Sequence, residues 1–158
     1  MKKVLLLFVS AIILFGCFSG CNTSETVEIP VDIENLQKKL EEAELFTDTL
    51  ERITKESVLS SVLFLTADNI EVSMLYMGSG YTGEEYALFK CVSAEAAKEL
   101  VEELKARVDS QKAIYRDYAP DAIPRLNNAI IKQLRGYVIY VVADRYPEAL
   151  KIVEEYLN

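Results

Sequence analysis

The stretch from Gly83 to Tyr118 constrains the fold more than any other, because an apolar strand runs straight into one long amphipathic helix whose apolar stripe needs a sheet to lie on. In Glu85-Tyr86-Ala87-Leu88-Phe89-Lys90-Cys91-Val92, alternation puts Ala87, Phe89 and Cys91 on one face and Tyr86, Leu88 and Val92 on the other. A strand apolar on both faces belongs in the middle of a covered sheet. From Ser93 the period changes: Ala97, Leu100, Leu104, Val108, Gln111 and Tyr115 recur at steps of three and four, with Val101 and Ile114 widening the stripe. Lys98, Glu102, Glu103, Lys105, Arg107 and Asp109 fall to the solvated side. Ser93 is placed to cap this helix, Glu95 sits where a negative charge favours its dipole, and the stripe fades near Tyr115.

The flanking segments supply what that helix must lie on. Asp32 can cap a helix whose Ile33, Leu36, Leu40 and Ala43 form one stripe. Phe46 to Ile53 lacks a period and reads as a connection with at most a short strand, and Lys55 to Phe64 reads as a second helix through Val58, Leu59, Val62 and Leu63. From Ile70 the period is two, so Ile70, Val72, Met74 and Tyr76 are expected to form the buried face of a strand pairing with the one from Glu85. Pro120 and Pro124 stiffen a loop from Asp117 to Arg125. Leu126–Leu134 and Tyr137–Ala143 read as a second hairpin about Arg135-Gly136. Asp144 or Tyr146 caps a last helix with Pro147 in its first turn and Ala149, Leu150, Val153 and Leu157 facing inward. The expected fold class is therefore α+β: a small antiparallel sheet of two hairpins with helices packed on it, as a single domain over residues 32–158.

The front end has a different character. Met1-Lys2-Lys3 and the apolar run Val4–Phe15 have the pattern of a secretory signal. A spanning helix needs about 20 apolar residues, and here glycine and polar residues intervene first. Leu14-Phe15-Gly16-Cys17 has the form of a bacterial lipobox, in which a small residue precedes the cysteine that takes the diacylglycerol. Phe18-Ser19-Gly20-Cys21 is the alternative, with a less suitable residue three before its cysteine. The expected division is a lipoprotein signal peptide over 1–16, a lipid-anchored tether over 17–31 whose fatty acyl chains (palmitate among them) insert in the membrane, and the folded domain beyond. That places the domain on the outer, extracytoplasmic face of the cell membrane. Cys91 lies at an inward strand position and reads as a small buried hydrophobe; a bridge to Cys21 would pin a flexible tether to the core.

Charge and composition exclude several functions. The chain has 17 basic and 25 acidic residues, and loss of Lys2 and Lys3 with the leader leaves 15 basic ones, a net charge of −10 instead of −8. Nucleic acid and anionic lipid both call for basic patches, so neither is an expected electrostatic partner. The chain has no histidine, which removes the commonest general base and transition-metal ligand. No cofactor is expected. Gly78-Ser79-Gly80-Tyr81-Thr82-Gly83 spells the dinucleotide fingerprint, but that motif works only where a strand leads into a helix whose N-terminus meets the pyrophosphate. Here a second strand follows, so the glycines serve a hairpin and no nucleotide is expected.

Gly83-Glu-Glu-Tyr-Ala-Leu-Phe-Lys90, then Gln111 to Tyr118-Ala-Pro120, Leu126-Asn-Asn-Ala129, and Gly136-Tyr-Val138 up to Asp144 resemble domain-of-unknown-function family 4358. The resemblance runs over roughly Asp32 to Asn158, though Gly83 stands where the pattern has Ala. It implies a small lipoprotein, mostly of Gram-positive bacteria, and supplies no catalytic residue.

Glu84 and Glu85 are the obvious carboxylate pair, yet in one strand they point to opposite faces and cannot straddle a bond. A structural role is expected, one of them capping the hairpin loop. Asp117, Tyr118, Asp121 and Arg125 gather polar groups on a scaffolded loop and form the candidate binding surface; the competing reading has both aspartates satisfying turn amides and Tyr118 packing on the sheet. The spacing of a calcium loop is absent. The leading expectation is a non-enzymatic, envelope-associated binding or accessory module whose partner is an envelope protein or cell-wall material. The alternative is a carboxylate-dependent envelope hydrolase of wall material using Asp117, Asp121 or Glu84, and a third reading, a transporter's solute receptor, asks for more chain than is present.

Overall fold

The computed structural model describes residues 31–54 and 67–157. In chain order these form α1 (Ile33–Glu42), β1 (Glu51–Ile53), β2 (Ile70–Met77), β3 (Glu85–Cys91), α2 (Ala94–Tyr118), α3 (Ile123–Asn127), β4 (Ile130–Leu134), β5 (Tyr137–Val142) and α4 (Tyr146–Leu157), with 3-10 turns at Ala67–Asn69 and Pro120–Ala122. The leader, Cys17 and Cys21, the tether to residue 30 and the expected helix Lys55–Phe64 lie outside the described residues. The strands make one antiparallel sheet in the order β1-β2-β3-β5-β4, so the fold is α+β and β3 is central, as its two apolar faces require. The sheet has one strand more than two hairpins supply, because β1 pairs along the outer edge of β2.

Helices cover both faces. On one, Ala87, Phe89 and Cys91 of β3 join Val138, Tyr140 and Val142 of β5 beneath Leu100, Leu104 and Val108 of α2. On the other, Tyr86, Leu88, Ile139 and Val141 lie beneath Leu36 and Leu40 of α1 and Ala149 and Val153 of α4. Each fully buried leucine contributes about 1.5–3 kcal/mol of transfer free energy. The predicted caps form: Ser93 Oγ accepts from the Ala96 N–H and Asp32 Oδ1 from the Asn35 N–H, each at 3.0 Å. Past the end of α1, Glu44 takes φ +49°, the left-handed position usually given to glycine. Among the described residues no helix is long and apolar enough to cross a membrane.

Several local expectations need correction. Leu126–Ala129 is not strand: Pro124 opens a helical turn, Asn128 Nδ2 donates to the Pro124 carbonyl at 2.8 Å, and β4 starts only at Ile130. The loop from Asp117 is helical for the same reason, since both prolines stand in the first turns of short helices where their missing N–H costs nothing. α2 runs on to Tyr118, and Ile114 is 65% exposed while Tyr115 is buried. In β2 the fully buried residue is Leu75, from the series expected to face outward, and Val72 is 41% exposed. A bulge between Ile70 and Val72 turns Ile70 onto the α2 side while Met74 and Tyr76 pack on the α1 side.

Candidate functional site

At one end of the sheet the segments after α1, between β2 and β3, between α2 and β4, and after β5 meet around one buried carboxylate. Glu84, 2% exposed, immediately precedes β3. Its Oε1 accepts from the backbone N–H groups of Thr47 and Asp144, both at 3.0 Å. Its Oε2 accepts from Thr47 N–H at 3.0 Å, Thr47 Oγ1 at 2.9 Å and Asp48 N–H at 2.8 Å. Arg125 Nε stands 3.8 Å from Oε1. Glu84 thus caps backbone amides, though those of the 47–48 and 144 turns and not of the glycine loop.

The glycine loop is held by Asp48. Its Oδ2 accepts from Ser79 N–H at 2.8 Å, Ser79 Oγ at 2.7 Å and Thr82 Oγ1 at 3.1 Å. The Ser79 side-chain and backbone bonds, in that order, hold the Asp48 carboxyl below its ordinary value. Gly78 is required by this approach, since a Cβ there would lie 2.6 Å from Asp48 Oδ2. Gly83 is favoured by its φ of +70°, a backbone conformation in which any side chain is strained. The residues after Gly83 form β3, so the fingerprint opens a strand and not a helix.

Glu85 faces the opposite side and is also 2% exposed. Arg107 Nη2 reaches its Oε2 at 2.8 Å and its Oε1 at 3.1 Å. Gln111 Nε2 donates to Oε1 at 3.1 Å and Tyr140 Oη at 2.6 Å. Arg107, assigned by sequence to the solvated face of the helix, is thus buried, its side chain 7% exposed. Spacing carries the signal for this: Arg107 lies three residues after Leu104 and four before Gln111, on the apolar stripe. A guanidinium there calls for a buried carboxylate on the facing strand.

Burial, reinforced by the Glu85 charge, holds the Tyr140 phenol well above its ordinary value. Burial and the hydrogen bond to Glu41 do the same for Tyr86. The folded chain therefore keeps protons that the unfolded chain releases near pH 10, so stability is complete below that pH and lost above it. We expect unfolding free energies that stay level from neutrality to about pH 9 and then fall by up to about 1.4 kcal/mol per pH unit for each phenol. Tyr140→Phe should remove one share of that slope. Cys91, pushed up to about 11 by burial and the charges of Glu103 and Glu71, adds to the same fall.

Of the candidate surface, Asp121 and Arg125 share a recess of about 230 Å³ with Asp144, Asn128 and Tyr146. Arg125 Nη2 pairs with Asp144 at 2.8 Å, and Nη1 donates to the Asp121 carbonyl at 3.1 Å. Asp144, which the sequence offered as a helix cap, instead supplies this pairing. Tyr118 does not pack on the sheet: it is 55% exposed against Tyr81, itself 65% exposed, with ring centroids 5.4 Å apart. Tyr81 had no signal beyond its place in the loop. Asp117 and Asp121 are exposed, and neither side chain bonds a turn amide among the described residues. No group of three or more metal-ligating side chains is placed to hold an ion among the described residues.

A family model described as "Domain of unknown function (DUF4358)" matches residues 43–143, a narrower span than the sequence motifs suggest. No curated protein and no solved structure matches the chain.

Proposed function

This chain belongs to the DUF4358 family, and from that premise we propose that it is a lipid-anchored extracytoplasmic protein acting as a binding or accessory module of the cell envelope. The observation that carries the reading is Leu14-Phe15-Gly16-Cys17 directly behind a charged and then apolar leader. It is supported by the acidic composition and by the loop end of the sheet. There Asp117, Tyr118, Asp121 and Arg125, with Tyr81 and Asp144, present aromatic and charged groups, Asp144 and Arg125 beside Glu84 and Tyr81 on the loop that Asp48 holds. Recognition on loops held by a rigid scaffold suits an envelope protein or cell-wall material as partner. Asp117 and Asp121 remain the exposed carboxylates open to a hydrolase reading, whereas Glu84 is committed to backbone amides.

Cells fed labelled palmitate should incorporate it into the wild-type chain, and Cys17→Ala or globomycin treatment should abolish the label and release or mislocalise the protein. Label that persists in Cys17→Ala and disappears in Cys21→Ala moves the anchor to Cys21. A wild-type chain that takes up no label ends the reading.

A further inference from the structure

Among the described residues the three most exposed large apolar side chains are Ile114 and Tyr81, each 65% exposed, and Tyr118 at 55%. The fold gathers them in one place. Ile114 and Tyr118 lie one turn apart on a flank of α2, and the Tyr81 ring meets that of Tyr118 with centroids 5.4 Å apart and planes 30° from parallel. Both rings are held out into solvent by what lies behind them. Tyr81 sits between two residues that Asp48 Oδ2 grips, Ser79 through its N–H and hydroxyl and Thr82 through its hydroxyl, and Gly80 at φ +89° sets the bend before it. Tyr118 rests edge-on against the buried Tyr115, centroids 6.0 Å apart and planes at 63°. An apolar patch kept in water by its own scaffold is the mark of a recognition surface. The neighbouring charges narrow what it can meet. Asp117 precedes Tyr118 and Asp121 follows three residues on, both exposed and neither in a salt bridge among the described residues. The basic groups nearby are turned elsewhere: Arg116 lies two residues from both Ile114 and Tyr118, on the far side of the helix, Lys112 pairs with Asp109, and Arg125 pairs with Asp144.

We propose that Tyr81 and Tyr118 form a stacking platform for a neutral pyranose glycan, with a sugar ring laid on the phenols and its hydroxyls donating to Asp117 and Asp121. The match holds on each count. A chair pyranose turns a flat face of C–H groups to one side, and an aromatic face is apolar with a negative quadrupole that suits them. The rim of the sugar is hydroxyl donors, and an ionised carboxylate is the stronger class of acceptor for these. Ile114 prolongs the apolar strip along α2 for a following residue of the glycan. A polyanionic glycan would meet two like charges instead. An extended peptide would bring backbone carbonyls to a rim that supplies acceptors. Resting as it does on the reading of this loop end as a surface for cell-wall material, the platform is independent of the lipid anchor.

The test is a titration of the full-length chain at pH 7 with two neutral trisaccharides, triacetylchitotriose and cellotriose, each to about 20 mM and followed by backbone amide shifts. Saturable shifts at Gly80, Tyr81, Thr82 and Tyr118 are expected with at least one of them. Trigalacturonate and N-acetyl-tetraalanine amide should each bind at least about threefold more weakly. Tyr118→Leu keeps apolar bulk and loses the ring face; at an exposed position it keeps the fold, and it should weaken the trisaccharide by about threefold or more. The proposal is overturned if neither trisaccharide gives saturable shifts at those amides, if the anionic sugar or the peptide binds as tightly, or if Tyr118→Leu leaves the affinity unchanged. Palmitate label on a chain that shows no such shifts would keep the anchor and remove the platform, and shifts on an unlabelled chain would do the reverse.

Discussion

Arg107→Met is expected to lower the unfolding free energy by about 3–5 kcal/mol, because it leaves Glu85 buried with its charge uncompensated. The guanidinium spans both carboxylate oxygens from a side chain only 7% exposed. Water is not at hand to replace it. The pair itself is worth much less than this loss suggests, since desolvating two ions consumes most of their attraction. Glu85→Leu combined with Arg107→Met should therefore recover a large part of the stability. Recovery stays incomplete because half-buried Gln111 and the Tyr140 hydroxyl also lose Glu85 as acceptor, leaving Tyr140 the longer 3.4 Å bond to Gln111 Oε1, against about 1–3 kcal/mol for a buried group left wholly unpaired. Adding Tyr140→Phe to the double variant should return part of that remainder. Urea denaturation with m-values compared across the series separates these effects from changes in the unfolded ensemble. An Arg107→Met variant within about 1 kcal/mol of wild type would remove the buried-network account.

The contrast between Glu84 and Glu85 shows how far the sequence could be read. Their divergence to opposite faces follows from strand alternation alone, as do the central place of Glu85–Cys91, the caps at Asp32 and Ser93 and the hairpin at Arg135-Gly136. What Glu85 meets was readable in principle, because Arg107 and Gln111 occupy helical steps on the buried stripe. The charge of Arg107 hides it, since a guanidinium reads as solvated until its helical steps from Leu104 and Gln111 are counted. What Glu84 meets was not readable. Thr47, Asp48 and Asp144 lie 37, 36 and 60 residues away, and their backbone amides carry no residue-type signature. The bulge in β2 was hidden for a related reason: helices cover both faces, so either alternating series could supply the buried residue. The prolines misled by position, being as suited to a first helical turn as to a loop. The candidate surface divided similarly, with Asp121 and Arg125 drawn into one recess by Asp144 and Tyr118 drawn to Tyr81.

Glu84→Gln is expected to destabilise nearly as much as Glu84→Ala, by about 3 kcal/mol, and this near-equality is the informative result. Both carboxylate oxygens accept from backbone N–H groups: Oε1 from Thr47 and Asp144, Oε2 from Thr47 and Asp48. A glutamine has one accepting oxygen. Whichever way its amide is turned, an NH2 donor faces N–H donors, so the isosteric change replaces attraction by repulsion at one of the two oxygen positions. The same variant at a general acid or base would be expected to keep the fold and lose only turnover. Hydrogen exchange should show where the damage falls: the amides of Thr47, Asp48 and Asp144 lose protection first, while those of β3 and β5 keep theirs until global unfolding. The recess around Arg125 should change with them, since Glu84 is one of the two carboxylates beside that guanidinium and Asp144 would be held from one side only. A Glu84→Gln chain as stable as wild type, with those three amides still protected, would mean that the loops are fixed by something other than this carboxylate.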